Sequence, residues 1–303
     1  MEKTTRVWFV QCKPFSKSEI KSKECEDFQE YCRSNRIFGM GWNKTEFNDY
    51  LGKEFDSKIA DYFKKTVSTK CFTRAQNLYG EMRAQDVVLS RLNGIYYLGI
   101  ISFTPKVSTH ERLTWYSEVI EWKRLGDNSE IPHHVRGKLS GRNYQGTVAE
   151  IDGLSAISLI YLAGIKPPKK KINEDNFFES IGDEDLEDLM AHYMSIKNKN
   201  YIILPSSCKK DTPDVEYIMY DPKTEKSITC QTKVNKKIDV NRYLSEKIFR
   251  EYETIYLFSG AGYDKYDGND LKNISIVSRK ELYDVFKANR HFLSIIETFF
   301  DVE

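Results

Sequence analysis

The sequence predicts an α/β (α+β) protein in two parts: a β-rich first half decorated with helices, and a second half built on a mixed sheet flanked by helices. Three observations carry this. Gly164-Ile165-Lys166-Pro167-Pro168-Lys169-Lys170-Lys171 is a seam, because consecutive prolines cannot continue a helix and the lysines stay solvated. Before it lie short runs rich in Val, Ile, Tyr, Trp and Phe, two of them joined by Asn93-Gly94. After it, helical periodicity gives way to a three-strand meander, a long connection, a further strand and a closing helix. At 303 residues the chain has room for two cores that fold without disulfides or metals. The domains are placed at 1–165 and 183–303, with 166–182 as linker.

In the first half, strands are expected at Arg6–Gln11, Asp86–Arg91, Tyr96–Phe103 and Tyr116–Trp122. Asn93-Gly94 marks a hairpin, since both residues tolerate positive φ. Helices are expected at Glu24–Ser34, where Phe28, Tyr31 and Cys32 recur at helical spacing, and at Asp56–Thr66. The whole reads as a small, strongly twisted β-barrel or sheet.

In the second half, Leu186, Leu189, Met190 and Tyr193 make one apolar face of a helix over Asp183–Ser195, and its acidic first turn suits the helix dipole. Strands follow at Tyr201–Leu204, Val215–Tyr220 and Ser227–Val234, the last two separated by the turn Asp221-Pro222-Lys223-Thr224-Glu225. Thr254–Ser259 is a strand leading into a Gly-rich loop, Ile274–Val277 a short strand, and Lys280–Asn289 a helix.

Apolar residues make up 40% and charged ones 30%, a globular balance rather than a disordered one. The longest apolar stretch, Leu154 to Ile165, is too short to cross a bilayer, and no basic start with an apolar run opens the chain. No membrane partner and a cytoplasmic location are expected. Six cysteines without a C-x-x-C pair read as free thiols in a reducing cytosol, not a zinc site. The net charge of +1 divides unevenly: 24 Lys and Arg against 20 Asp and Glu up to residue 165, then 22 against 25. A basic half before an acidic one fits a binding module joined to a metal site.

The chemistry lies in Asp214-Val215-Glu216 and Gln231-Thr232-Lys233. Residues two apart on a strand share a face, so a hairpin would set Asp214 or Glu216 beside Gln231 and Lys233. Carboxylate and amide oxygens suit a hard divalent cation such as Mg2+, and a lysine can orient or help deprotonate a water beside it. Glu187 on the preceding helix could add a second carboxylate. The solvated face of an ordinary hairpin carries the same pattern.

The run Leu186-Glu187-Asp188-Leu189, Tyr201, Leu204 to Thr212, Val215-Glu216-Tyr217 and Gln231-Thr232-Lys233 resembles a bacterial branch of the PD-(D/E)XK nucleases in which Gln-x-Lys replaces acid-x-Lys, as in Mrr-like restriction enzymes. Ile255–Ser259, the glycines at 260–268, Ile276 and Glu281–Phe286 follow in the same order, so the resemblance spans about 120 residues. It implies a restriction-endonuclease-like sheet. It also implies Glu187, Glu216 and Gln231 as metal ligands and Lys233 as the catalytic lysine. Asp214 completes Pro213-Asp214 of the family name, while the frame from Thr212 to Glu216 favours Glu216. The glycine often found shortly after the lysine is replaced here by Val234-Asn235.

In the first half, Arg6–Val10, Phe38-Gly39-Met40-Gly41-Trp42, Met82–Leu89, Gly94–Ile101 and Glu121–Gly126 resemble EVE and related PUA-like domains. Such domains are similar to readers that hold a flipped, modified base between aromatic rings, where stacking contributes about 1–3 kcal/mol. Trp42 is the first candidate for the pocket wall, with Trp8 and Trp115 behind it; core packing is the alternative for each. Arg136, Lys138 and Arg142, in a loop expected at 137–146, and Lys166 with Lys169–Lys171 could touch phosphate or simply keep loops solvated. Together the resemblances imply a modification-dependent (type IV-like) restriction endonuclease for phage defence. It would require Mg2+, act on DNA carrying modified bases, and could work as a homodimer. The rivals are a degenerate, non-catalytic scaffold and an RNA-directed nuclease.

Overall fold

The structure is a computed structural model that describes residues 5–12, 22–40, 50–54, 59, 79–108, 113, 115–139, 148–166, 170–207, 215–265, 273–288 and 300–302. The chain divides into two compact units, Met1–Pro167 and Pro168–Glu303. No described helix is long and apolar enough to cross a membrane.

The first unit contains strands β1 (Val7–Val10), β2 (Ile37–Met40), β3 (Val87–Leu92), β4 (Ile95–Ile101), β5 (Lys106–Val107), β6 (Trp115–Gly126) and β7 (Val148–Ile151), with helices α1 (Ser22–Ser34), α2 (His133–Leu139) and α3 (Gly153–Leu162). The strand order is β2-β6-β4-β3-β1-β7, with β5 also on β6, and the sheet curls into a half-barrel. Among the described residues of this unit, β1 and β3 run parallel and the remaining pairs are antiparallel. The expected β3–β4 hairpin is present, with φ of 49° at Asn93 and 82° at Gly94. β6 is the long strand that holds the curl: its first residues pair β2 and β5, and the rest pair β4.

Both faces of β1 are buried, so its alternation divides between two cores. Trp8 and Val10 pack with Phe28, Phe38 and Trp115, whereas Val7 and Phe9 pack with Leu89, Ile151 and Leu159. The apolar run that begins at Leu154 is α3, which closes the second of these cores. The helix expected at 56–66 falls outside the described residues apart from Ile59. The loop expected at 137–146 begins inside α2, where Arg136 donates to the Asn128 carbonyl at 3.0 Å; Arg142 lies outside the described residues.

The second unit runs β8 (Lys170–Ile172), α4 (Phe177–Ser180), α5 (Asp183–Lys197), β9 (Ile202–Ile203), β10 (Ile218–Asp221), β11 (Lys226–Lys233), α6 (Val240–Ser245), β12 (Thr254–Ser259), β13 (Ile274–Ile276), α7 (Arg279–Ala288) and β14 (Phe300–Val302). Its mixed sheet has the order β13-β12-β11-β10-β9, antiparallel from β9 to β11 and parallel from β11 to β13. A separate parallel pair joins β8 to β14. Central β11 is buried from Ile228 to Thr232. On one face lie α5 and α7. On the other, Ile255 and Leu257 pack with Val240, Tyr243 and Phe249.

The linker expected at 166–182 is a correction. Only its start is a seam, because β8 pairs β14 and Phe177 and Phe178 are core residues of the second unit. Phe177 stacks on Phe286 at 4.3 Å, and Phe178 packs against Phe258 at 4.8 Å. The lysines around Pro167-Pro168 dominate the local sequence signal, while the two aromatics that anchor the segment follow several residues later. Phe177→Ala should therefore destabilise the second unit by about 3–5 kcal/mol in urea unfolding, as large-to-small core changes do. A cost below about 0.5 kcal/mol, as for a solvated connector, would contradict this placement.

Candidate functional site at the end of the central strand

Glu216, Gln231 and Lys233 come together where the β10–β11 ladder stops. The register sets Ile218 opposite Thr229, so two residues further along Glu216 faces Gln231. Regular pairing ends at Ile218 for a local reason: its N–H donates to Ser207 Oγ at 2.8 Å, a side chain standing in for a strand neighbour. This corrects the expected strand start at Val215. Glu216 nonetheless stays against β11, its N–H donating to the Cys230 carbonyl at 2.9 Å.

Three donors surround one oxygen of the Glu216 carboxylate. Lys233 Nζ lies 3.2 Å from Oε1, the Thr232 N–H reaches it at 3.5 Å, and Gln231 Nε2 donates to the same atom. Among the described residues every hydrogen bond to this carboxylate falls on Oε1, leaving Oε2 open. Side-chain exposure is 16% for Glu216 and 38% for Lys233, so the pair sits at a rim rather than in the interior. Gln231 is deeper, at 4% exposure, and its Oε1 accepts from the Tyr243 hydroxyl at 3.3 Å.

Glu187 sits on α5, which packs on the other face of β11. In the parallel β11–β12 pair, Gln231 and Lys233 share a face with Leu257 and Ser259, whereas Cys230 and Thr232 share one with Tyr256 and Phe258. The latter face carries α5: Asn198 donates to the Tyr256 hydroxyl at 3.1 Å, and the Tyr217 hydroxyl meets the Glu187 carbonyl at 3.5 Å. The helix that carries Glu187 thus packs on the opposite face of β11 from Gln231 and Lys233. Of the four side chains expected to converge, hydrogen bonds join Glu216, Gln231 and Lys233. Helical periodicity identified the buried face of α5 correctly but could not say which face of the sheet it would cover.

The end of β11 is held by two contacts the sequence did not announce. Asp183, first residue of α5, accepts from the Val234 N–H at 3.1 Å. Gly260 follows β12 and donates to the Lys233 carbonyl at 2.9 Å; a Cβ there would lie 2.5 Å from the Val234 carbonyl oxygen. Tyr243 is the other residue missed. It lies in α6, a short helix opened by Asp239, whose carboxylate caps the Asn241 N–H, inside a stretch read as a connection.

Comparison with family models, with curated proteins and with solved structures finds no match. The chemistry must be read from the residues themselves. Among the described residues no three His, Cys, Asp or Glu side chains gather to hold a metal ion. A cation here would rest on Glu216 and the Gln231 amide, with Asp214 lying outside the described residues. That donor set suits Mg2+, which keeps several waters and takes one or two carboxylates plus substrate phosphate oxygens.

In the first unit, two of the three expected pocket residues are core. Trp8 and Trp115 are both fully buried, and Trp8 Nε1 donates to Asp86 Oδ2 at 2.9 Å. A ring sealed between a sheet and its helices offers no face to an incoming base, which corrects the expectation for both. Trp42 lies outside the described residues.

Cys230 reports the charges on both sides of β11. Burial is the main cause that pushes its thiol well above the ordinary range; Tyr217 opposes this through a hydrogen bond, and the Glu216 and Glu187 carboxylates reinforce it. Above about pH 9 the unfolded chain releases this proton while the native state keeps it, so native stability falls as pH rises, by up to ~1.4 kcal/mol per pH unit for this group. Removing the thiol removes that slope. The destabilisation caused by Cys230→Ala should therefore be smaller at pH 10 than at pH 7 in paired urea titrations, and an equal cost at both would show an unperturbed thiol.

Proposed function

We propose that the second unit is a PD-(D/E)XK-type, Mg2+-dependent nuclease domain, and that the chain is a modification-dependent restriction endonuclease acting on DNA. The observation that carries this is the Glu216–Lys233 ion pair beside Gln231, at the exit of a buried central strand. A mixed five-stranded sheet with helices supports the same reading. When bound, Mg2+ would supply Lewis-acid stabilisation of charge on a phosphate. The chain's own residues would do the rest. Glu216 Oε2 and the Gln231 amide oxygen would hold the ion, and Lys233 Nζ would orient a water toward phosphorus and steady the developing charge. The first unit would be the PUA-like recognition module, its base pocket built around Trp42 and not around Trp8 or Trp115.

A second reading has its own support. The helix that carries Glu187 packs on the face of β11 away from the cluster, and Gln231 stands where an acid would bind a cation more strongly. Both favour a nuclease-like sheet that serves as a non-catalytic binding scaffold.

Cleavage separates the two. Phage genomic DNAs carrying methylated, hydroxymethylated or glucosylated bases should be cut with Mg2+ and left intact with a chelator. Lys233→Ala should lower the rate by at least about 10²-fold while DNA binding stays within a few-fold, because it removes a group that acts in the transition state. Intact DNA across the whole panel, together with calorimetry showing no Mg2+ binding that depends on Glu216, would leave the scaffold.

A further inference from the structure

The Gln231 amide faces the wrong way to ligate a cation. Its nitrogen, not its oxygen, is turned toward Glu216, and its Oε1 is directed at the Tyr243 hydroxyl at 3.3 Å. Nε2 also donates to the Thr232 carbonyl at 3.3 Å, so the amide uses both its ends within the protein. An NH2 group cannot donate an electron pair to Mg2+, so an amide held in this orientation cannot serve as its ligand. The arrangement is buried, with Gln231 at 4% and Tyr243 at 6% exposure, and water has little access to compensate either end.

A phenolic hydroxyl both donates and accepts. Tyr243 can therefore serve either orientation of the amide: it donates to Oε1 when the nitrogen faces Glu216, and accepts from Nε2 when the oxygen does. We propose that Tyr243 is the positioning residue of the site, its hydroxyl holding Gln231 through a half-turn that exchanges nitrogen for oxygen opposite Glu216 when a divalent cation enters. This rests on the nuclease reading of the same site and adds a residue and a motion to it. In the arrangement described above, Glu216 Oε1 accepts from Gln231, Lys233 and the Thr232 N–H. In the loaded one Glu216 and Gln231 both present oxygen, and Lys233 with the Thr232 N–H remain as donors toward Glu216. No bond is made or broken in the exchange.

The test is a double-mutant cycle on the full chain, with Mg2+ alone as the probe and calorimetry as the readout. Tyr243→Phe removes a single oxygen, and thermal unfolding confirms that the variant folds. Gln231→Ala should weaken Mg2+ binding by about 10–100-fold, and Tyr243→Phe by about 10-fold, the size of effect seen when a ligand's supporting hydrogen bond is lost. In the Gln231→Ala background Tyr243→Phe should change affinity by less than about twofold, because nothing remains for it to position. An effect of Tyr243→Phe that persists undiminished in that background would overturn the proposal, since a general packing role does not depend on Gln231. So would wild-type affinity in Tyr243→Phe alone. Failure of the nuclease reading looks different: wild-type protein would then show no Mg2+ binding that Glu216→Gln abolishes.

Discussion

Everything around the candidate site follows from the burial of β11 on both faces. A strand covered by helices on one side and by an apolar cluster on the other makes an unpartnered polar side chain costly, and among its buried polar groups only Thr232 Oγ1 goes without a hydrogen bond among the described residues. Thr229 meets this demand by donating to the Tyr217 carbonyl at 2.8 Å, and Gln231 by spanning Glu216 and Tyr243. Lys233, one step further, reaches the rim where its ammonium is partly hydrated and still pairs with Glu216. The gradient from core to water along alternate residues of one strand places an amide, a carboxylate and an ammonium group in contact.

The same burial gives the cluster two possible meanings. A fully paired polar network at the end of a strand is a sound structural device, and such a network also holds ionisable groups ready for a ligand. What inclines the balance is asymmetry within the Glu216 carboxylate. One oxygen collects every donor among the described residues, and the other is open at a partly exposed position. The proposed nuclease chemistry uses that open oxygen.

The first unit illustrates how a tryptophan-rich sequence can mislead. Trp8 and Trp115 look like stacking surfaces in a list of aromatics, yet both complete the core that the curled sheet wraps around. Asp86 ties the first of them down: its carboxylate accepts from Trp8 Nε1 and from the Arg83 N–H at 3.0 Å, and Arg6 lies over the Trp8 ring. An indole with its N–H satisfied inside the protein and a cation on its face is committed to structure.

Periodicity and turn chemistry by themselves determined much of the chain. The hairpin at Asn93-Gly94, the helix starting at Asp183, the strand Thr254–Ser259 and the seam at Pro167-Pro168 are local, since each depends on backbone preferences within a few residues. The adjacency of Glu216, Gln231 and Lys233 was legible as well, because one hairpin register sets it. Short edge elements such as β2, β5 and β8 were not, for their strands form only because a distant partner offers hydrogen bonds. Only the tertiary structure decided which face of β11 the Asp183–Lys197 helix covers, that 170–182 belongs to a core, and that Tyr243 meets Gln231. Which face a helix covers, and which side chain fills the space beside a buried amide, are set by packing between segments far apart in sequence, and no local pattern encodes them.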